Sequence, residues 1–380
     1  MLYFYWYLYV LLWLFALFAF GLSLKVQNRF LAFYCALWAF VFGFRRHDVG
    51  NDTPSYAAYF ENVGVGMGYG TVDKPYDTAE EGFVFISRII NLFTNSPTII
   101  FLLVSVTLWL LIYLLYKNIS KTPLLALLFM MTITGRMFYT LEIAVRQTFS
   151  IIIILSGLFL IRNSGITRWR DLHKNKMAIV GVILLVFSVT VHRTTGALVA
   201  VMILLYFIYL NKTIAYILIA IFTIIAIFGA EQFAIVFDRT MFLMGDSTDE
   251  TLNLLGNRYI GHVETAKIGI VSMFGWLIPS ILTIYLTEEK KVNSFFFKMF
   301  IFSFCLHMLM QFSNIHERIT TLFILVGFTT SIPDICKRNR YFYLLYLIIA
   351  FFYIVFIDYR TFANWPVRTD AAVPYFFIWQ

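Results

Sequence analysis

Four polar constellations stand out against long apolar runs. In "RRHDVGNDTPSY", Arg45, Arg46, His47, Asp48, Gly50, Asp52 and Tyr56 fall within twelve residues. In "RMFYTLEIAVRQTF", Arg136 and Arg146 bracket Glu142, and Arg146 lies a turn or more into an apolar helix. "VHRTTG" sets His192 beside Arg193, and "NIHERIT" carries His316, Glu317 and Arg318. Arg258 stands in a fifth polar stretch, "LGNRYIGH". Arginine offers a planar fork that grips carboxylate or phosphate by two parallel bonds and keeps its charge. Asp, Glu and His are the groups that take a proton from a reacting hydroxyl. Together they suit an oxyanion-bearing substrate, with Arg45, Arg46, Arg136, Arg146, Arg193, Arg258, Arg318 and Tyr56 as binding candidates. Structural readings stand beside this one. Asp52 or Thr53 ahead of Pro54 caps a short helix running into "SYAAYF", and Glu142 neutralises Arg146 at i,i+4.

Other chemistries lack their motifs. There is no His-Glu-x-x-His, no Gly-x-Ser-x-Gly and no acidic pair spaced for two metals, so no metal or cofactor is expected. "GVGMGYG" has no preceding strand and no closing Gly-Lys-Ser/Thr, and reads as a loop rather than a phosphate cradle. Cys35, Cys305 and Cys336 show no paired spacing, so neither a disulfide framework nor a metal site is suggested.

The elements that must position these residues are membrane spans. The 380 residues are 61% hydrophobic and 13% charged, where soluble chains carry about 25% charged residues. Apolar runs near the length that crosses about 30 Å of hydrocarbon recur from end to end. The expectation is an all-α, polytopic helical integral membrane protein, one domain over residues 1–380 with about twelve spans. They fall at 2–24, 30–44, 97–116, 123–140, 143–161, 177–191, 196–210, 213–230, 268–287, 295–312, 319–333 and 341–357. The first lacks a basic leader and a cleavage site, and reads as a retained span.

Basic residues orient the bundle. With the first loop cytoplasmic, one face collects 16 Lys and Arg against four acids, and the other the remaining 13 bases and 17 acids. Both termini are then outside. The inner face has ten Lys and six Arg, whereas the outer face has Lys74, Lys267 and eleven Arg. Orientation alone does not ask for that skew, and it points to oxyanion binding outside. The long outer segments are about 45–96, 231–267 and 358–380. Within a span Arg146 costs about 2.5–3.5 kcal/mol on insertion scales, which marks it as a functional candidate.

Arg46-x-x-x-Gly50-x-Asp52-x-x-x-Tyr56, just after an early span, resembles the signature of the EpsG-like and Wzy-type polysaccharide polymerases. "EEGFVFISRII" is similar to the segment that follows it there, through Glu81, Gly82 and Phe83. Arg146-Gln147 resembles the family's Arg-Gln helix, His192 its histidine at a span end, and Arg318 its late arginine. The resemblance implies a multi-pass protein of the bacterial inner membrane, and the outer side of the charge-based orientation, with both termini and a large N-terminal loop, is then the periplasm. It implies transfer of a growing O-antigen or exopolysaccharide chain from undecaprenyl pyrophosphate to a new lipid-linked repeat unit. Asp52, Glu81, His192 and His316 are the candidate catalytic bases. The implied partners are that lipid-linked oligosaccharide, membrane lipid, a chain-length regulator and a flippase, with no nucleic acid. Two other classes stay open: a lipid-linked oligosaccharide flippase, and an O-antigen ligase or polyprenyl-phosphate-dependent glycosyltransferase.

Overall fold

A computed structural model of the chain describes residues 4–47, 49, 52–62, 80–134, 144–165, 173–192, 194–246, 270–310, 323, 325–327 and 340–359. Every regular element among them is helical. In chain order these are α1 (Phe4–Phe18), α2 (Leu24–Gly43), α3 (Thr53–Asn62), α4 (Glu81–Asn91), α5 (Pro97–Ile119), α6 (Pro123–Thr134) and α7 (Val145–Asn163). Then come α8 (Lys176–Val191), α9 (Thr194–Phe207), α10 (Lys212–Ile224), α11 (Ala230–Gly245), α12 (Ile270–Leu286), α13 (Phe295–Met310) and α14 (Arg340–Phe352). Local chemistry sets several starts. Asn175 Oδ1 accepts the Met177 backbone N–H at 2.9 Å to open α8, and Asn211 does the same for Ile214 at 2.8 Å to open α10. Pro97 occupies the first position of α5, where a missing N–H is harmless.

Helices cover most of the described residues of the expected spans. Pro97–Ile119, Val145–Asn163 and Lys212–Gly229 are long and apolar enough to cross a bilayer, and shorter apolar helices accompany them. Of the span expected at 319–333, only Phe323 and residues 325–327 are described, and they are helical. Several boundaries differ: α1 ends at Phe18 and α2 already begins at Leu24, and Arg146, expected a turn or more into a span, is the second residue of α7, at the helix start rather than at depth. The helix that begins at Lys212 passes through a π-helical turn at Ile225–Gly229 and continues as α11 to Gly245. Those 34 residues extend about 51 Å, beyond the about 30 Å of hydrocarbon. The segment expected to begin as an outer loop at 231 therefore begins as helix.

Antiparallel registers place the helix ends. Along α1 and α14, the latter continued by a π-helical stretch at Tyr353–Asp358, Trp6 Nε1 donates to the Ile354 carbonyl and Trp13 Nε1 to that of Leu347, both at 2.9 Å, while Tyr343 Oη donates to the Ala16 carbonyl at 2.7 Å. Seven residues forward on α1 match seven back on α14. Along α1 and α2, Tyr5 stacks on Trp38 and Phe42, while Phe15 meets Phe30. The start of α1, the end of α2 and the end of α14 thus share one end of the bundle. Trp38 is the hub of the larger apolar core, stacked on Trp109 of α5 with centroids 5.8 Å apart.

A second, smaller core lies at that same end. Tyr56, Tyr59 and Phe60 of α3 and Phe83 of α4 pack with Ile100, Phe101 and Val104 of α5, Val145 of α7 and Val191 of α8. Phe83 is its centre: it stacks on Tyr59 at 5.4 Å and meets Tyr56, Phe60 and Phe149 edge-on or tilted.

Candidate functional site

Helices α7 and α8 form the stem of the site. Gly157 and Gly181 face each other so closely that a Cβ on either would lie 2.7 Å from the other's carbonyl oxygen. Small residues permit such backbone contact where packing, rather than a hydrophobic drive, holds helices together. Seven residues toward the second core, Ser150 Oγ donates to the Ser188 carbonyl at 3.0 Å and lies 2.6 Å from Thr195 Oγ1 of α9. Four residues further on both strands of the hairpin, Arg146 stands opposite His192. The register brings a guanidinium and an imidazole to one place.

The second core delivers the other two members. Gly82 lets α4 lie against the last turn of α8, since a Cβ there would fall 2.7 Å from the carbonyl carbon of Thr190. Glu80, the residue before α4, then reaches both basic groups. Its Oε2 accepts from Arg146 Nη1 at 2.8 Å, and its Oε1 lies 3.3 Å from His192 Nδ1. Tyr56, on the face of α3 that packs on Phe83, accepts at its Oη from Arg146 Nε at 3.3 Å and from the Arg146 backbone N–H at 3.5 Å. All four side chains are buried or nearly so.

The electrostatics follow from this geometry. Burial alone would raise the Glu80 carboxyl, but the hydrogen bond with His192 and the charges of Arg146 and His192 outweigh it and hold it down at about 2. An ionised carboxylate only accepts, so the hydrogen on His192 Nδ1 is directed at Glu80, and a proton taken up by the neutral ring goes to Nε2. With Arg146 and Glu80 opposite in charge, the cluster is neutral while His192 is neutral and gains one positive charge when it is protonated.

The other candidates fall as follows. Arg45 is buried, donates through Nη1 to the Phe42 carbonyl at 2.8 Å and lies 4.8 Å over the Phe101 ring, closing the end of α2. His47 Nε2 lies 3.0 Å from Thr98 Oγ1 at the start of α5, and Arg46 between them is partly buried. Asp52 precedes α3, and its carbonyl accepts the Tyr56 N–H at 3.0 Å. The short helix expected after Pro54 is α3. Glu81 is exposed, and Glu80 beside it is the carboxylate in the cluster. Arg136, Arg193, Arg258, His316 and Arg318, and also Glu142, Asp48 and Gly50, lie outside the described residues. Glu80 had a sequence signal: taken back from Phe83 in helical phase, positions 80, 83 and 87 share a face, while 81 points away. Among the described residues no group of His, Cys, Asp and Glu is arranged to hold a metal ion.

The sequence model of the EpsG family matches residues 28–377, which spans the cluster and nearly all the helices. The chain belongs to the EpsG family. It matches no curated protein and no solved structure. Family membership with an all-helical, apolar architecture makes this a membrane protein of polysaccharide-polymerase type. In this EpsG-family chain Arg146 and His192, from separated segments, meet at Glu80, and Tyr56 joins them through Arg146.

Proposed function

We propose that the protein is a polysaccharide polymerase acting at the outer leaflet of the bacterial inner membrane. It transfers a growing glycan from undecaprenyl pyrophosphate to the terminal sugar of a new lipid-linked repeat unit. The observation that carries this reading is the Glu80–His192 pair, held by Arg146 and Tyr56 at one end of the bundle of an EpsG-family protein. In the reaction an acceptor hydroxyl attacks the anomeric carbon of the growing chain, and the bond from that carbon to the diphosphate oxygen breaks. The electron pair leaves with the lipid diphosphate and the proton passes to His192 Nε2. Glu80 favours the imidazolium so formed, which is the role of a carboxylate behind a base. Asp52 and His316 remain the alternative bases, and the arginines of the outer face would meet the two diphosphates as negative charge develops on the leaving one.

The test is reconstitution. Purified protein in proteoliposomes, given polyprenyl-diphosphate-linked repeat units, is expected to release free polyprenyl diphosphate and build a ladder of lengthening chains. Units carried across the bilayer without elongation would instead establish a flippase. Transfer onto a lipid A core without elongation would establish a ligase.

A further inference from the structure

Helices α3 and α4 rest on the same aromatic core but turn different faces outward. On α3 the exposed positions are Pro54, Ser55, Ala58 and Glu61, which suit water. On α4 they are Glu81, Phe85, Arg88 and Ile89, continued by Leu92 and Phe93, with Leu92 80% and Phe93 85% exposed. The opposite face of α4, through Gly82, Phe83 and Ser87, is buried. The two faces keep helical spacing, so α4 is apolar on its protein side and largely apolar on its outer side, where Glu81 at the first turn and Arg88 near the last are the charged residues.

That outer stripe continues into the exposed apolar face of α8. Phe85 meets Phe187 of α8 edge-on at 6.3 Å. From there Val186, Ile183, Val180 and Ile179 carry exposed apolar side chains along the length of α8. The axis of α4 does not continue that of a span. Its first residues lie against Thr190 near the end of α8, and after five intervening residues Pro97 opens α5. Both ends of α4 therefore lie at the same end of the bundle, and its eleven residues, about 16 Å long, cannot cross a bilayer. A short helix that is held by protein on one side and presents an apolar stripe with a cation on the other lies in the interface plane, its stripe about 5–10 Å into the acyl boundary and its cation among the headgroups.

We propose that α4 is an in-plane membrane helix, with Phe85, Ile89, Leu92 and Phe93 embedded in the lipid of the outer leaflet and Arg88 at headgroup depth. Because Glu80 directly precedes α4, the Glu80–Arg146–His192–Tyr56 cluster is then held at the level of the lipid phosphates. A substrate anchored by hydrocarbon in that leaflet reaches it sideways, with no need to leave the membrane. The leaflet named rests on the orientation proposed above, whereas the embedding of α4 rests only on the exposed faces and the packing.

Nitroxide labels test depth independently of activity. In protein carrying Ala at Cys35, Cys305 and Cys336 and reconstituted in phosphatidylglycerol/phosphatidylethanolamine vesicles, labels at Leu92→Cys and Phe93→Cys are expected to be more accessible to oxygen than to a water-soluble nickel chelate. A label at Ser55→Cys is expected to show the reverse order. Nickel accessibility at Leu92 equal to that at Ser55 would overturn the proposal, and so would exclusion of both reagents, which would mean that protein covers the stripe. Should the cysteine-free protein not fold, Leu92→Cys in the native background is expected to resist an impermeant maleimide in intact cells while Ser55→Cys reacts, and labelling of both would overturn it. Failure of elongation in the reconstituted assay would leave these depth measurements intact.

Discussion

Glu80 binds Arg146 with one oxygen and His192 with the other, so its two obvious substitutions separate structure from chemistry. Glu80→Ala strands a buried guanidinium, at about 3–5 kcal/mol, and protein abundance in the membrane is expected to fall. Glu80→Gln keeps the shape and an acceptor, so abundance is expected to stay near normal while polymer ladders shorten. Ladders unchanged in Glu80→Gln would make the carboxylate structural only. Arg146 reaches Glu80 through Nη1 and Tyr56 through Nε, two directions that a planar guanidinium serves and a single ammonium does not. Arg146→Lys is therefore expected to accumulate better than Arg146→Ala yet to shorten ladders, and equal ladders at equal abundance would remove Arg146 from the site. The carboxyl of Glu80, held at about 2 in the fold, contributes stability that is fully present above its ordinary range near 4.5 and is lost as pH falls through about 2. The difference in unfolding midpoint between wild type and Glu80→Gln in detergent is expected to be constant above about pH 5.5 and to shrink toward zero by about pH 2. A difference already vanishing at pH 4 would contradict the pairing. At this scale Tyr56, Arg146 and His192 were legible in the sequence by type and position. Glu80 was hidden by its neighbour, because two adjacent glutamates differ only in helical phase and that phase is set by what Gly82 and Phe83 pack against.

The elements act through register. Gly157 and Gly181 fix how far α7 and α8 slide past one another, and this decides that Arg146 rather than a neighbour faces His192. Gly157→Leu forces a side chain into backbone, at about 1–3 kcal/mol or more, and is expected to lower abundance. Gly82→Ala touches only α4: its added methyl meets the Thr190 backbone and moves Glu80 off His192. Near-normal abundance with markedly shorter ladders is expected from Gly82→Ala, and a wild-type ladder would show that the close contact is not needed. Hydropathy located α7 and α8, but a register between apolar helices leaves no mark in hydropathy. It rests on two glycines and two serines that read in the sequence as ordinary span residues. The same limit applied to α4, whose apolar positions are too few to read as a span.

For the whole molecule, the start of α1, the ends of α2 and α14, the starts of α5 and α7, and the end of α8 gather at the end that holds the cluster. Charge asymmetry in the sequence puts the polar constellations on one side of the membrane and the Lys-rich loops on the other. The continuation of the α10 helix to Gly245 was not legible, since polar residues on a helix that leaves the bilayer look like those of a loop. An impermeant thiol reagent applied to intact cells is expected to label Ser55→Cys and not Lys174→Cys, and the opposite pattern would put the cluster on the cytoplasmic side. The central claim, that this cluster performs elongation, meets its most direct test in His192→Ala. Ladder length is measured beside membrane abundance in a strain lacking the native copy. Normal abundance with single repeat units in place of long chains is the expected result. A wild-type ladder from His192→Ala at equal abundance would contradict it.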